Sequence, residues 1–128
     1  GVGIFPIEVN SQAEMLEAVG DELEDLIGVR SIDPANVLIV TVNTADRDAI
    51  RAAVPGGYNC ASWEEREDQS VVCETVHRTK GLEYDAVVFA TTSAEVKDHL
   101  LYVGMSRAIS ILTVIAPAPV LERLGLVE

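Results

Sequence analysis

The chain has 128 residues, 48% of them hydrophobic and 23% charged, which suits one globular domain with a real core and excludes a disordered tail. Acids outnumber lysines and arginines 21 to 9, a net charge of −12, so any binding to a polyanion must rest on a local site and not on bulk charge. The longest apolar runs, Val37–Val40 and Ile111–Ala116, are too short to cross a bilayer. Cys60 and Cys73 form no CxxC and have no histidine cluster beside them. Neither a disulfide framework nor a metal site is expected, and a reduced, cytoplasmic setting is.

Gly1-Val2-Gly3 stands where an initiator methionine would, so we expect a piece of a longer chain. Ile4–Val9 is a short extended candidate weakened by Pro6. Ser11 and Glu14 make a capping box, and Met15, Leu16, Val19, Leu23, Leu26 and Ile27 recur at helical spacing up to Gly28, which is expected to end the helix. Val37–Val42 is a continuous β-rich run, as for a strand covered on both faces. A helix over 44–54 is predicted to break at Pro55-Gly56-Gly57. Glu64–Asp68 reads as a solvated loop or a short surface helix. Strands are predicted at Val71–Val76, Ala86–Ala90 and Ile111–Ile115, with helices at Glu95–Ala108 and Pro119–Leu124. Alternating strands and helices argue an α/β fold, a mainly parallel sheet with helices on both faces, whose ligands are expected beyond the carboxyl ends of the strands.

Charge is uneven. Residues 1–68 hold 14 acids against 4 bases, residues 69–128 only 7 against 5, and both lysines, Lys80 and Lys97, lie in the second part. A phosphate-bearing ligand is expected there. Two segments of that part are dense in polar chemistry. Thr75-Val76-His77-Arg78-Thr79-Lys80-Gly81-Leu82-Glu83-Tyr84-Asp85 follows a strand with hydroxyls, an imidazole and cations able to grip phosphate oxygens, and with a carboxylate able to accept from sugar hydroxyls. Leu101-Tyr102-Val103-Gly104-Met105-Ser106-Arg107-Ala108 sets one arginine at an apolar helix end among small neighbours, which we read as room for a guanidinium to approach a developing phosphoryl charge.

The first segment resembles motif V, T-x-H-x-x-K-G-L-E-[FY], of the UvrD/Rep/PcrA-type superfamily 1 DNA helicases, and the second resembles their motif VI, Y-V-[AG]-x-[ST]-R-A. Val37–Val54 is similar to the strand–helix unit that precedes them, although Val42 stands where many relatives carry arginine. The resemblance implies one RecA-like three-layer αβα domain over 1–128, the C-terminal (2A) half of an ATP-dependent DNA helicase or translocase. ATP and Mg2+ would be held mainly by an N-terminal RecA-like domain, since the chain contains neither G-x-x-x-x-G-K-[ST] nor D-E-x-x-D, and the chain alone is expected to be inactive. Carried over residue by residue, Arg107 is expected to reach the γ-phosphate, Glu83 to lie near the ribose, and Lys80 and Gly81 to shape the loop between the two sites. Tyr102 would support Arg107, and Thr75 and His77 would contact single-stranded DNA. Partners are then single-stranded DNA and the N-terminal domain, with RNA polymerase or repair proteins as further candidates and no membrane.

Plainer roles stand beside these. His77 could be structural, Arg107 a helix-end charge, Glu83 a partner for Arg78 or Lys80, and Lys80-Gly81 only a turn. His99 reads as solvent-facing. Trp63 could stack on a base, but its acidic neighbours argue for packing. The alternative in a different class is a nucleotide-driven protein-interaction module of a helicase-like factor that binds RNA polymerase, motivated by the acidic surface. A phospho-receiver domain, also small and acidic, needs a lysine ending its last strand, where this chain has Ala116-Pro117.

Overall fold

The computed structural model describes residues 1–126. Six strands form one sheet: β1 (Gly3–Glu8), β2 (Val37–Thr41), β3 (Cys60–Ala61), β4 (Val71–Thr75), β5 (Tyr84–Ala90) and β6 (Ala108–Ala116), in the order β1-β6-β5-β2-β4-β3. Every pairing is parallel. The helices are α1 (Gln12–Leu23), α2 (Thr44–Ala53), α3 (Asp98–Met105) and α4 (Ala118–Arg123), each entered from the carboxyl end of a strand.

Period-two alternation divides the strands between two cores. Val37 and Ile39 of β2, and Ala86, Val88 and Ala90 of β5, join Met15, Val19 and Leu23 of α1 and Ile50 of α2. The intervening Leu38, Val40, Val87 and Phe89 join Leu101 of α3 and Val120 and Leu121 of α4 on the other face. This is the expected three-layer αβα arrangement, with Val37–Val40 and Ala86–Ala90 of the central strands continuously apolar because both faces are covered.

Several local expectations change. Pro6 is no obstacle to β1, because β1 is the edge of the sheet and pairs only with β6. The capping box forms, with Ser11 Oγ accepting from Glu14 N–H at 3.1 Å. The helix does not stop at Gly28, however: wider π-type turns continue through Glu24–Val29, and Ser31 takes the left-handed conformation. β3, only two residues long, is too short to show any periodicity. Glu64–Asp68 is irregular chain with turns, not a helix. The helix expected over Glu95–Ala108 is shorter at both ends, and Ala108 already belongs to β6. Arg107 therefore sits in the turn between α3 and β6, not on a helix end. Among the described residues no helix is long and apolar enough to cross a membrane.

Gly104 lets α3 lie directly on the sheet. A Cβ there would stand 2.5 and 2.7 Å from ring carbons of the fully buried Phe89 and 3.4 Å from Val40. The smallness of this motif position thus serves helix–sheet packing and not the approach of a ligand. Gly104→Ala should lower stability despite the roughly 1 kcal/mol that alanine gains within a helix. Overpacking of this kind typically costs about 1–3 kcal/mol, and urea unfolding should show the midpoint move down. Cys60 and Cys73 are both free and buried. Burial pushes the Cys60 thiol up to about 12 and raises that of Cys73 as well. Neither should react with a thiol reagent at pH 8 in the native protein, and both should react once denaturant is added.

Candidate functional site

Parallel strands place all carboxyl ends on one rim of the sheet and all amino ends on the other. β4 and β5 lie either side of β2, so residues 76–83 must cross two strand spacings and descend from the carboxyl rim to the amino rim. They do so without an α-helix. Val76–Arg78 makes one tight turn, closed by the Thr79 N–H and hydroxyl donating to Val76 O at 3.1 and 2.8 Å, and Leu82 N–H then donates to Thr79 O at 3.0 Å. Thr79 is fully buried. Gly81 has φ +81, a left-handed conformation that side chains disfavour, so the glycine of this motif is required by the turn itself.

The expected site residues consequently part between the two rims. Thr75, the buried last residue of β4, and the exposed His77 stand at the carboxyl rim. Lys80 is exposed on the descent, and Gly81 and Glu83 reach the amino rim. There Tyr84 N–H donates to Arg107 O at 2.9 Å, and Tyr84 pairs in register with Ala108, so the end of one motif is stitched to the arginine of the other. Of the expected site residues, Thr75 and His77 therefore lie at the carboxyl ends of the strands, and Glu83 and Arg107 lie at the amino ends.

Arg107 is half-buried, and its Nε is buried with no hydrogen-bond partner. Arg30, Arg47, Arg51, Arg78 and Arg123 all pair with carboxylates, and Arg66 lies over the Trp63 ring at 3.4 Å from its centroid. Among the described residues Arg107 is the arginine left without either. Tyr102 O accepts from Ser106 N–H at 3.0 Å, closing the helix just before Arg107, while the Tyr102 ring is exposed in a shallow apolar groove with Val2, Ile4 and Met105. Beside the amino rim runs a cleft of about 730 Å³, lined by Trp63, Arg66, Gly81, Glu83 and Tyr84 among others. No cluster able to hold a metal ion occurs among the described residues. His99 is exposed, as expected.

Two acids that the sequence reading passed over organise the carboxyl rim. Glu74, 1% exposed, holds Arg51 of α2 at 3.0 Å through Oε1. Its Oε2 accepts from Trp63 N–H at 3.0 Å and lies 3.6 Å from Arg78. Arg78 also bonds Glu64, so it is not available to Glu83, the partner considered for it from sequence. The Glu64 carboxyl is held below its ordinary range, first by its own backbone N–H and then by Arg78. Asp46, 1% exposed, accepts from Thr92 N–H and Oγ1 at 2.9 Å each, pinning the β5–α3 connection to the start of α2. The only sequence signal for either acid is position: a charge inside a strand, and a charge three residues past the Asn43 cap. Removing the Glu74 carboxylate strands Arg51 partly buried. Glu74→Ala should cost about 3–5 kcal/mol in chemical denaturation, against under 1 kcal/mol for the exposed Glu67→Ala.

The model of the UvrD-like helicase C-terminal domain family matches residues 70–115, a stretch that holds both motifs. No curated protein matches the sequence. Among solved structures, the chain is similar to the C-terminal domain of a possible DNA helicase from Lactobacillus plantarum WCFS1, with 24% identity and a TM-score of 0.67 over 91% of this chain and 73% of that one. It is also similar to the C-terminal part of the Fun30 ATPase domain, with 13% identity and a TM-score of 0.60 over 88% of this chain and 44% of that one. At these identities the likeness is one of fold, and the fold is α/β of the RecA-like type. The stretch that carries both motifs thus matches the UvrD-like helicase C-terminal domain model, and the fold around it is similar to those of the two C-terminal parts named above.

Proposed function

We propose that the chain is the C-terminal half of an ATP-dependent DNA helicase or translocase. One observation carries the reading: a single connection, residues 76–83, joins a polar carboxyl rim to an amino rim where the next residue, Tyr84, is hydrogen-bonded to an arginine that has no side-chain partner among the described residues. A guanidinium with no ion pair among the described residues, and with a buried orphan Nε, suits an anion supplied from outside the chain. In this reading Arg107 meets the γ-phosphate of ATP held with Mg2+ by an N-terminal RecA-like domain, and Glu83 accepts from the ribose hydroxyls. Bound there, ATP supplies the phosphoryl group whose departure develops the charge that Arg107 faces. Lys80 and Gly81 belong to the transmitting segment, Tyr102 acts on Arg107 through the helix end, and Thr75 and His77 contact single-stranded DNA at the other rim.

The mechanical logic follows from stiffness. The segment has a buried threonine, an internal turn and a fixed left-handed glycine, so a shift at one end is not absorbed along its length. A change in what Arg107 touches is in this way communicated to the loop that bears His77.

The test is to express the whole gene, so that the Walker-motif domain is supplied, and compare Arg107→Ala with wild type. DNA-stimulated ATP hydrolysis should fall by about 10³-fold or more, in the range measured for arginine fingers elsewhere. A variant within tenfold of wild type would remove Arg107 from the reaction. The 128-residue chain by itself should hydrolyse no ATP.

A further inference from the structure

Arg78 stands one residue past His77, exposed, with its guanidinium against two carboxylates in unlike surroundings. Oε2 of the buried Glu74 lies 3.6 Å away, whereas Glu64, bonded directly, is on the exposed chain between β3 and β4. Glu74 is already served by Arg51 and by Trp63 N–H, so it anchors Arg78 without depending on it. The pair with Glu64 is solvated on both sides, and such pairs contribute little to stability.

A guanidinium with one fixed buried neighbour and one weakly held exposed partner is aimed and exchangeable. We propose that Arg78 is a phosphate contact of the single-strand path, positioned by Glu74, and that Glu64 fills the place of a phosphate until DNA displaces it. The inference rests on the reading of the carboxyl rim as the DNA-facing side. A phosphodiester oxygen offers the guanidinium the same charge-assisted hydrogen bonds as a carboxylate, so the exchange keeps the arginine satisfied throughout. In a chain of net charge −12, a cation already occupied by an internal acid also gives weak, stray polyanion contacts little to hold.

The experiment is a fluorescence-anisotropy titration of labelled oligothymidylate with the chain over a salt series starting at low ionic strength. Arg78→Ala should weaken binding and reduce the slope of log affinity against log salt by about 0.7, the loss of one phosphate contact on a single strand. Glu64→Gln should tighten binding by up to about fivefold, the worth of one exposed ion pair. That gain should vanish in the Arg78→Ala, Glu64→Gln double variant. Glu67→Gln, which makes the same change in charge on the same exposed segment, should tighten binding less. Equal gains from Glu64→Gln and Glu67→Gln, or a gain that survives without Arg78, would overturn the exchange. If His77→Ala weakens binding while Arg78→Ala leaves the slope unchanged, the Arg78 contact is refuted and the single-strand path stands. If neither substitution alters binding, the single-strand path fails and takes the inference with it.

Discussion

The structure depends on one topological constraint. β4 and β5 run parallel and are separated by β2, so the connection between them must change rims. Thr75 and Ala90 both stand level with Thr41, which puts Tyr84 six residues, or about 20 Å, below the end of β4. Parallel strands are usually joined by a dozen or more residues including a helix. Here the chain between Thr75 and Tyr84 carries no α-helix, and it spends its first residues in a tight turn. What remains makes a second turn, closed by Leu82 N–H donating to Thr79 O with Gly81 left-handed, so the polar residues of the segment fall at different levels between the two rims. Thr75 and His77 at one rim and Glu83 at the other are consequences of that geometry and not separate placements.

A connection so short needs fastening at both ends, and the fastenings differ in kind. At the amino rim the bond is backbone to backbone, Tyr84 N–H to Arg107 O, and does not depend on side chains. At the carboxyl rim the work falls to buried carboxylates. Glu74 ties α2, the Trp63 backbone and Arg78 together, and Asp46 ties the β5–α3 connection to the start of α2. Buried charges are costly to desolvate, and well-packed apolar groups would often stabilise as much. Their presence beside the polar rim is understandable if they orient exposed groups, since a carboxylate directs its partners where a methyl group does not.

Much of the architecture was legible from composition and spacing. The apolar run Val37–Val42 announced a strand covered on both faces, the apolar Ala86–Ala90 segment announced another strand, and Ser11 with Glu14 announced the first helix. The misreadings are local. Gly28 looked like a helix end, but the turns widen and continue past it. The small residues around Arg107 looked like room for a ligand, yet Gly104 is small because Phe89 lies against it. Pro6 looked disruptive, and at a sheet edge it is not. For Gly104 and Pro6 the role is set by a neighbour distant in sequence, which no local pattern can display.

The amino-acid sequence on its own determined the layer order, the two motifs and the residue types they bring, because hydrophobic period and turn chemistry act over a few residues and are written in linear order. Which rim each polar residue occupies, and that the late arginine would have no side-chain partner among the described residues, were decided only by the fold. Strand order is a matter of pairing between segments far apart in the chain. It is that pairing which moves Glu83 beside Arg107 and sends Arg78 to Glu74 and Glu64 instead.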